Sequence, residues 1–207
     1  MKKILLGLLC TVLVMGIVGC GTTNVGNDDS NNNVETNNSY SEDDWANLAF
    51  SMNEKSYRYP YKISDFQDNG FVAQSPDFAS IVNGTVKSAI NKGYNYAVLK
   101  QDNILINVYF DTTSTNVLVS EANVIRLEIE NSNIDNEVNF EFYGLKFGAS
   151  LEKTEQLFGT KNYELLSDDN NYTCRYFKKL NNNKTATLEL QINKTKNKLD
   201  KLSINVY

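Results

Sequence analysis

The chain has no histidine and only three cysteines in its 207 residues, and these absences exclude several kinds of chemistry. Without imidazole, the chain can form no Ser–His or Cys–His nucleophilic pair and no histidine metal site, and it lacks the commonest general base. The acidic pairs Asp43-Asp44 and Asp168-Asp169 do not have calcium-loop spacing, and no glycine-rich phosphate loop is present. We therefore predict that the protein is not an enzyme and has no cofactor and no metal site.

Residues 1–19 combine a basic start with an apolar run. Two lysines precede Ile4–Val18, a run that is typical of a secretory signal and shorter than the roughly 20 residues of a transmembrane helix. The run ends at Ile17-Val18-Gly19-Cys20, which resembles the bacterial lipobox. This resemblance implies a diacylglycerol on the Cys20 thiol and signal-peptidase cleavage between Gly19 and Cys20. An ordinary secretory signal that happens to contain this cysteine is the alternative.

A lipid on Cys20 would hold the mature chain at the extracytoplasmic face of the cell membrane. Two acyl chains make such attachment stable where one is marginal, because each buried methylene contributes roughly 0.8 kcal/mol. Cys10 would be removed with the signal peptide, which leaves Cys174 alone and allows no intramolecular disulfide. We predict that Cys174 is a buried, unreactive thiol.

Residues 20–44 differ in composition from the rest of the chain. They include seven asparagines and six acidic residues but no lysine or arginine. Such a segment cannot bury enough apolar surface to offset the entropy of ordering, so we predict a lipidated, disordered acidic tether. From Trp45 to Tyr207 the chain has 18 basic and 19 acidic residues and no basic stripe. We therefore expect no nucleic-acid partner.

Several segments after Trp45 alternate apolar and polar residues, the pattern of half-buried antiparallel strands. The apolar positions of these segments are Ile104, Ile106, Val108 and Phe110; Ile125, Leu127 and Ile129; Tyr172, Cys174 and Tyr176; Ala186, Leu188, Leu190 and Ile192; and Leu202, Ile204 and Val206. A hairpin is predicted over residues 48–61, with its turn at Asn53-Glu54-Lys55.

The signals for helices are fewer and shorter. Ser150 suits the N-cap of a helix over residues 151–158, and a second short helix is predicted from Ser64 to Asn69. Residues 75–93 have apolar side chains at helical spacing, but Asn83-Gly84 within them is an equally good hairpin turn. We favour the helix.

The order of strand, turn, short helix and further strands occurs twice along the chain. The first occurrence begins at Phe50 and the second at Phe140, and the pattern is lost near residues 131–136. We therefore predict an α+β protein of two small modules, residues 45–136 and 137–207. Each would be an antiparallel sheet with one or two short helices packed on one face.

The second module carries a string that can be compared with known modules. It is Tyr143–Glu152, YGLKFGASLE, followed by Leu157-Phe158-Gly159. This resembles the β-lactamase-inhibitory-protein-like and outer-membrane-assembly-lipoprotein-like modules, although Thr160 stands where a proline often follows in them. The first module, on the strings Phe50–Tyr57 and Ser64–Phe71, resembles a region of Gram-positive bacterial lipoproteins. The resemblance implies helices layered on an antiparallel sheet, and it brings no catalytic residues.

Tyrosines are the remaining candidates for a binding surface. Tyr57, Tyr59 and Tyr61 would share one side of a predicted strand, and Tyr94 and Tyr96 one side of another. Exposed tyrosines often contribute to protein or glycan contacts, whereas packing in the core or in cross-strand pairs is the alternative. We predict a non-catalytic binding or accessory lipoprotein whose partner is an envelope protein, an extracellular protein or a glycan. An inhibitor of an exported enzyme and a carboxylate-dependent cell-wall hydrolase are the alternatives.

Overall fold

The structure is a computed structural model that describes residues 44–133, 138–160, 163–180 and 183–207. The predicted signal peptide, the lipobox and nearly all of the predicted tether lie outside these residues. Within the described ranges, no helix is both long enough and apolar enough to cross a membrane.

The described residues form eleven strands and four α-helices. The strands are β1 (Phe50–Met52), β2 (Lys55–Tyr57), β3 (Val72–Ala73), β4 (Tyr96–Gln101), β5 (Ile104–Phe110), β6 (Val124–Asn131), β7 (Phe140–Glu141), β8 (Tyr163–Ser167), β9 (Asn171–Lys179), β10 (Thr185–Asn193) and β11 (Lys198–Val206). The helices are α1 (Ile63–Gln67), α2 (Pro76–Val82), α3 (Val86–Asn91) and α4 (Leu151–Phe158). The predicted hairpin and the predicted strand segments are confirmed, and so is the helix that Ser150 caps. The predicted place of Ile125 on the buried side of its strand is wrong: Ile125 is 41% exposed and Val124 is buried instead, because the register of β5 and β6 shifts there.

Eight of the strands form one antiparallel sheet, in the order β3-β4-β5-β6-β11-β10-β9-β8. Strands β3 to β6 are neighbours in chain order, and so are β8 to β11. The two groups meet where β6 pairs with β11, with Leu127 opposite Ile204 and Ile129 opposite Leu202. Because side chains alternate along a strand, this register places the apolar positions of both groups on the same face of the sheet.

The expectation of one separate sheet for each module is wrong. Residues 45–136 and 137–207 both contribute strands to the large sheet, and the small sheet β2-β1-β7 also combines strands from both. The protein is mostly antiparallel β-sheet with few helices, so the predicted α+β class holds only in a coarse sense. Pairing between β6 and β11 joins residues far apart in the sequence, and such pairing leaves no local pattern to detect. The predicted module boundary itself falls outside the described residues.

One face of the large sheet belongs to a continuous hydrophobic core that also includes the small sheet and the helices. Phe66 of α1, Val86 of α3 and Leu188 of β10 are fully buried. Phe158 at the end of α4 packs on Tyr176 of β9, with 5.4 Å between ring centroids. Each such buried side chain stabilises the fold by about 1.5–3 kcal/mol relative to exposure.

Residues 75–93 form two helices rather than one helix or a hairpin. Ser75 caps α2 and Thr85 caps α3, each through a side-chain oxygen that accepts a backbone N–H. Asn83 and Gly84 separate the two helices. The preference for helix is therefore confirmed, but the Asn-Gly pair ends the first helix instead of turning a hairpin.

Candidate functional site

The face of the large sheet opposite the core has polar and ionic side chains, and we call it the open face. Arg126 of β6, Arg175 of β9 and Lys201 of β11 lie on it, with side chains 43%, 32% and 27% exposed. An antiparallel sheet with one face on the core and the other carrying polar side chains accounts for the alternation of apolar and polar residues along β5 and β10.

One row of side chains crosses six strands of the open face, from β4 to β9. Successive members are register partners on neighbouring strands. In order they are Tyr96, Tyr109, Arg126, Asn205, Thr187 and Phe177, which we call the open-face row. With neighbouring strands about 4.8 Å apart, the row is about 24 Å long.

The β4 end of the open-face row is an aromatic cluster. Tyr96 stacks on Tyr109 with 5.5 Å between ring centroids and 29° between ring planes. The Arg126 guanidinium lies 5.2 Å from the Tyr109 centroid, so Tyr109 has a neighbour on each face of its ring. Phe78 of α2 and Tyr94 extend the cluster, at 5.6 Å and 6.2 Å from Tyr96. Tyr96 and Tyr109 contact each other through their ring faces, whereas Phe78 and Tyr94 meet Tyr96 in tilted arrangements, at 57° and 53° between ring planes.

The side chains in the middle of the open-face row are short, and the residue at its β9 end is apolar. Asn205 and Thr187 have short side chains and are 8% and 4% exposed. Phe177, at the β9 end, is 45% exposed, which is unusual for a large apolar side chain. The row therefore has bulky residues at both ends and a shallow depression between them.

A buried carboxylate lies beside the row and organises the charges of the open face. Glu128 is only 6% exposed in its side chain and accepts hydrogen bonds from Lys201 Nζ at 2.8 Å and from Asn107 Nδ2 at 3.2 Å. Its Oε1 atom also forms an ion pair with Arg126 Nη2 at 2.5 Å. Burial raises the pKa of Glu128, but hydrogen bonds from Lys201 and Asn107 and the two nearby positive charges outweigh it, so the pKa lies below its ordinary value. Glu128 therefore stays ionised and holds Arg126 against Tyr109.

A second ionic cluster lies toward the β8 edge of the open face. Arg175 Nε donates to Glu189 at 2.7 Å, and Arg175 Nη1 donates to Glu164 at 3.2 Å. Together with the Glu128 cluster, it pairs opposite charges within the face. A partner for this surface therefore has little unbalanced charge to neutralise.

A pocket of about 330 Å³ lies at one end of β6 and β11, lined by Glu130, Asn131, Ser132, Gln191, Asp200 and Lys201. The Oδ1 atom of Asp200 is buried there without a hydrogen-bond partner among the described residues. Burial, and after it the charge of Glu130, raises the pKa of Asp200. Among the described residues, no group of three or more potential ligand residues is placed to hold a metal ion.

The structure separates the five tyrosines that were candidates for binding. Tyr57 and Tyr61 are 3% and 1% exposed, and both pack on Phe50 in the core. The Tyr61 hydroxyl donates to the carbonyl oxygen of Leu48, and burial raises the pKa of Tyr61 well above its ordinary value. These two side chains therefore present no surface to a partner. The prediction that Tyr57, Tyr59 and Tyr61 share one strand is also wrong, because β2 ends at Tyr57.

The other three candidates are partly exposed. Tyr59 lies against Tyr61 with 5.9 Å between ring centroids, and its hydroxyl accepts from Lys184 Nζ at 3.1 Å. Tyr94 and Tyr96 belong to the aromatic cluster of the open face. A binding role for these three stays a prediction. Gly19 and Cys20 lie outside the described residues.

Cys174 is free and fully buried on the core face of β9, as predicted. Burial, with a smaller contribution from the charge of Glu155, raises its pKa to about 11. Because the thiolate is the reactive form, such a thiol is unreactive near neutral pH.

Sequence reasoning missed Phe78, Tyr109 and Arg126. Tyr109 and Arg126 occupy the polar positions of their alternating segments, so periodicity alone could have placed them on the wet face. That Tyr109 meets Tyr96 and Arg126 depends on strand register, which a single alternating segment does not define.

Comparisons of the chain with protein families, with curated proteins and with solved structures gave no significant match. The resemblance of Tyr143–Gly159 to known modules therefore stays a prediction.

Proposed function

We propose that the protein is a lipid-anchored, extracytoplasmic binding protein that holds a protein partner on its open face and has no catalytic activity of its own. The observation that carries this proposal is the aromatic and arginine cluster formed by Tyr96, Tyr109 and Arg126. Tyrosine and arginine are the residue types that most often carry the binding energy of protein interfaces.

The anchoring part of the proposal rests on the sequence. Lys2 and Lys3, the apolar run Ile4–Val18 and the box ending at Cys20 support a lipoprotein signal. The composition of residues 21–44 supports a tether that would hold the sheet away from the lipid surface.

The geometry of the aromatic cluster favours a protein partner over a glycan. A sugar ring binds aromatic residues by stacking on an open ring face, but both faces of Tyr109 have a neighbour. The ring edges and hydroxyls of the tyrosines in the cluster instead suit the mixed apolar and polar contacts of a protein surface. The row length of about 24 Å is comparable with the width of an interface of about 800 Å² per partner.

The test compares two tyrosines that differ in position. Tyr109→Ala removes the centre of the cluster, whereas Tyr207→Ala removes an aromatic side chain that is 71% exposed and outside the open-face row. The full-length tagged chain is purified from its native membranes in mild detergent with each change. Proteins that copurify are identified, produced separately and measured for direct binding.

We expect a partner that binds the wild type and Tyr207→Ala equally and binds Tyr109→Ala at least about tenfold more weakly, as for a residue that carries about 1.4 kcal/mol or more. A partner that binds all three chains equally would contradict use of the open face. Binding of envelope glycans that Tyr109→Ala abolishes would replace the protein partner by a glycan. Separately, Cys20→Ala is expected to release the chain from membranes, and continued membrane fractionation would contradict the anchor.

A further inference from the structure

We infer that two copies of this chain pair through β8 to continue the large sheet across a twofold axis. This inference concerns the edge of the sheet and does not depend on the partner proposed for the open face.

The two edges of the large sheet among the described strands are different. The β3 edge has two residues and is followed by Pro76 at the start of α2. The β8 edge has five residues, with no proline, glycine or lysine among them. Short length, proline and charged side chains, especially lysine, are the usual protections of an edge against strand addition. The β3 edge is short and followed by proline, whereas the one charged residue of β8, Glu164, is paired with Arg175 of β9.

The hydrogen-bond pattern of the β8–β9 hairpin shows which backbone groups of β8 face outward. The Asp168 N–H donates to the carbonyl oxygen of Asn171 at 3.1 Å, which marks these two residues as a hydrogen-bonded pair. Hydrogen-bonded and non-hydrogen-bonded pairs alternate along an antiparallel ladder. Leu166 and Glu164 therefore bond to β9, whereas Tyr163, Leu165 and Ser167 direct their N–H and C=O groups away from it.

These outward groups are complementary to a second copy of themselves. In an antiparallel pair centred on Leu165, that residue lies opposite Leu165 of the second copy, and Tyr163 lies opposite Ser167. All three N–H and three C=O groups of each strand are then paired, giving six hydrogen bonds. A register shifted by two residues would leave some of these groups without a partner.

The side chains of β8 suit the same register. Leu165 and Leu166 are 44% and 43% exposed, on opposite faces of the sheet. The register brings the two Leu165 side chains together and places Leu166 against the stem of Glu164 from the second copy. No charge lies directly opposite a like charge, and each Glu164 keeps its own partner, Arg175.

The size of the contact indicates weak association. Each strand is about 17 Å long and contributes five residues, whereas a standard interface has roughly 20–30 residues from each partner. A dimer of this kind exchanges quickly in dilute solution, so the experiment has to trap it.

The experiment uses cysteine cross-linking of the full-length chain in membranes from cells that express it. In the proposed register the two residues 165 are about 5.5 Å apart between Cα atoms, within the range of a disulfide. The two residues 166 are offset along the strands and about 8 Å apart, beyond that range. Both cysteine variants also carry Cys174→Ala, because Leu165 is the register partner of Cys174 on β9 and a cysteine there would form a disulfide within its own chain. In this background Leu165→Cys is the test, Leu166→Cys is the matched control, and Cys174→Ala alone gives the background.

We expect a mild oxidant, copper phenanthroline, to convert Leu165→Cys into a covalent dimer several-fold more than Leu166→Cys. Equal cross-linking of the two variants, or none above background in either, would overturn the inference. Energy transfer between tagged full-length copies gives a second measurement. Leu165→Lys, which opposes two positive charges, should lower dimer formation by about two- to fivefold, whereas Leu166→Lys, which faces Glu164, should not lower it. A similar loss in both lysine variants would also overturn it.

Discussion

Removal of the Lys201 ammonium should expose how strongly the Glu128 cluster stabilises the sheet. Lys201→Met keeps the length and apolar stem of the side chain but deletes the group that donates to Glu128 at 2.8 Å. Glu128 would keep Arg126 and Asn107 as partners. Its carboxylate would nevertheless lose one of two cationic neighbours in a position that is only 6% exposed.

The expected magnitude lies between two limits. An exposed ion pair contributes about 0.2–1 kcal/mol, and breaking a buried pair costs about 3–5 kcal/mol. Because Lys201 is 27% exposed and Glu128 keeps two partners, we expect a loss of about 2 kcal/mol, near that of one hydrogen bond to a charged group. In a folded part of this size, 2 kcal/mol corresponds to a fall in Tm of about 4–8 °C.

A double-mutant cycle measured by urea denaturation would give the interaction free energy between Lys201 and Glu128. It compares the wild type, Lys201→Met, Glu128→Gln and the double variant. Lys201→Met should cost about 2 kcal/mol in the wild type and less than about 1 kcal/mol when Glu128 is already glutamine. Lys100→Met is the control, since Lys100 is exposed on the same face and has no ion pair among the described residues. Equal losses in both backgrounds would refute the reasoning.

The pH dependence of the same cycle follows from the direction of the pKa shift. Glu128 has a lowered pKa in the folded chain, so its contribution to stability is complete above the pKa of the unfolded state. That contribution is lost as the pH falls through the folded pKa. The stability difference between wild type and Glu128→Gln should therefore shrink on acidification, and a constant difference would contradict the ionised cluster.

Three further predictions concern other parts of the molecule. Asp200→Asn should raise the free energy of unfolding at pH 7 by about 1 kcal/mol. The pKa of Asp200 is raised in the folded chain, so its ionised form destabilises the fold, and asparagine removes that charge. Urea denaturation at pH 7 and at pH 4 should show that this gain vanishes at the lower pH. Cys174, with a pKa of about 11, should resist thiol reagents at pH 8 in the folded chain and react after denaturation. When expressed separately, the fragments 45–136 and 137–207 should each lack a cooperative unfolding transition, because separation leaves β6 and β11 without each other as partners. Cooperative melting of either fragment would contradict the single sheet.

Local features of this chain could be predicted from the sequence because they depend on residues close together. The helix after Ser150 forms since its N-cap oxygen and its apolar positions lie within a few residues, and the alternation of β10 reports one buried face. The burial of Cys174 followed from its apolar position in an alternating segment. The break between α2 and α3 was harder, because Asn83-Gly84 suits both a hairpin turn and the end of a helix.

The candidate site could be predicted only in part. Tyr94 and Tyr96 were candidates for a binding surface, with packing in the core or in cross-strand pairs as the alternative, and the structure places them in the aromatic cluster. Tyr57 and Tyr61 have the same two-residue spacing in the sequence, but both are buried against Phe50. Spacing within one segment indicates which residues share a side, and it does not indicate what covers that side.

The sequence by itself determined the alternating segments that form β5, β6, β9, β10 and β11, the helix after Ser150, the lone buried thiol and the lipobox prediction at Cys20. Each depends on residue type and local order. Tertiary structure alone decided that both halves share one sheet, that Tyr96, Tyr109 and Arg126 align across it, and that β8 remains an edge. These features depend on pairing and register between distant strands, whose energies come from contacts that exist only after the chain has folded.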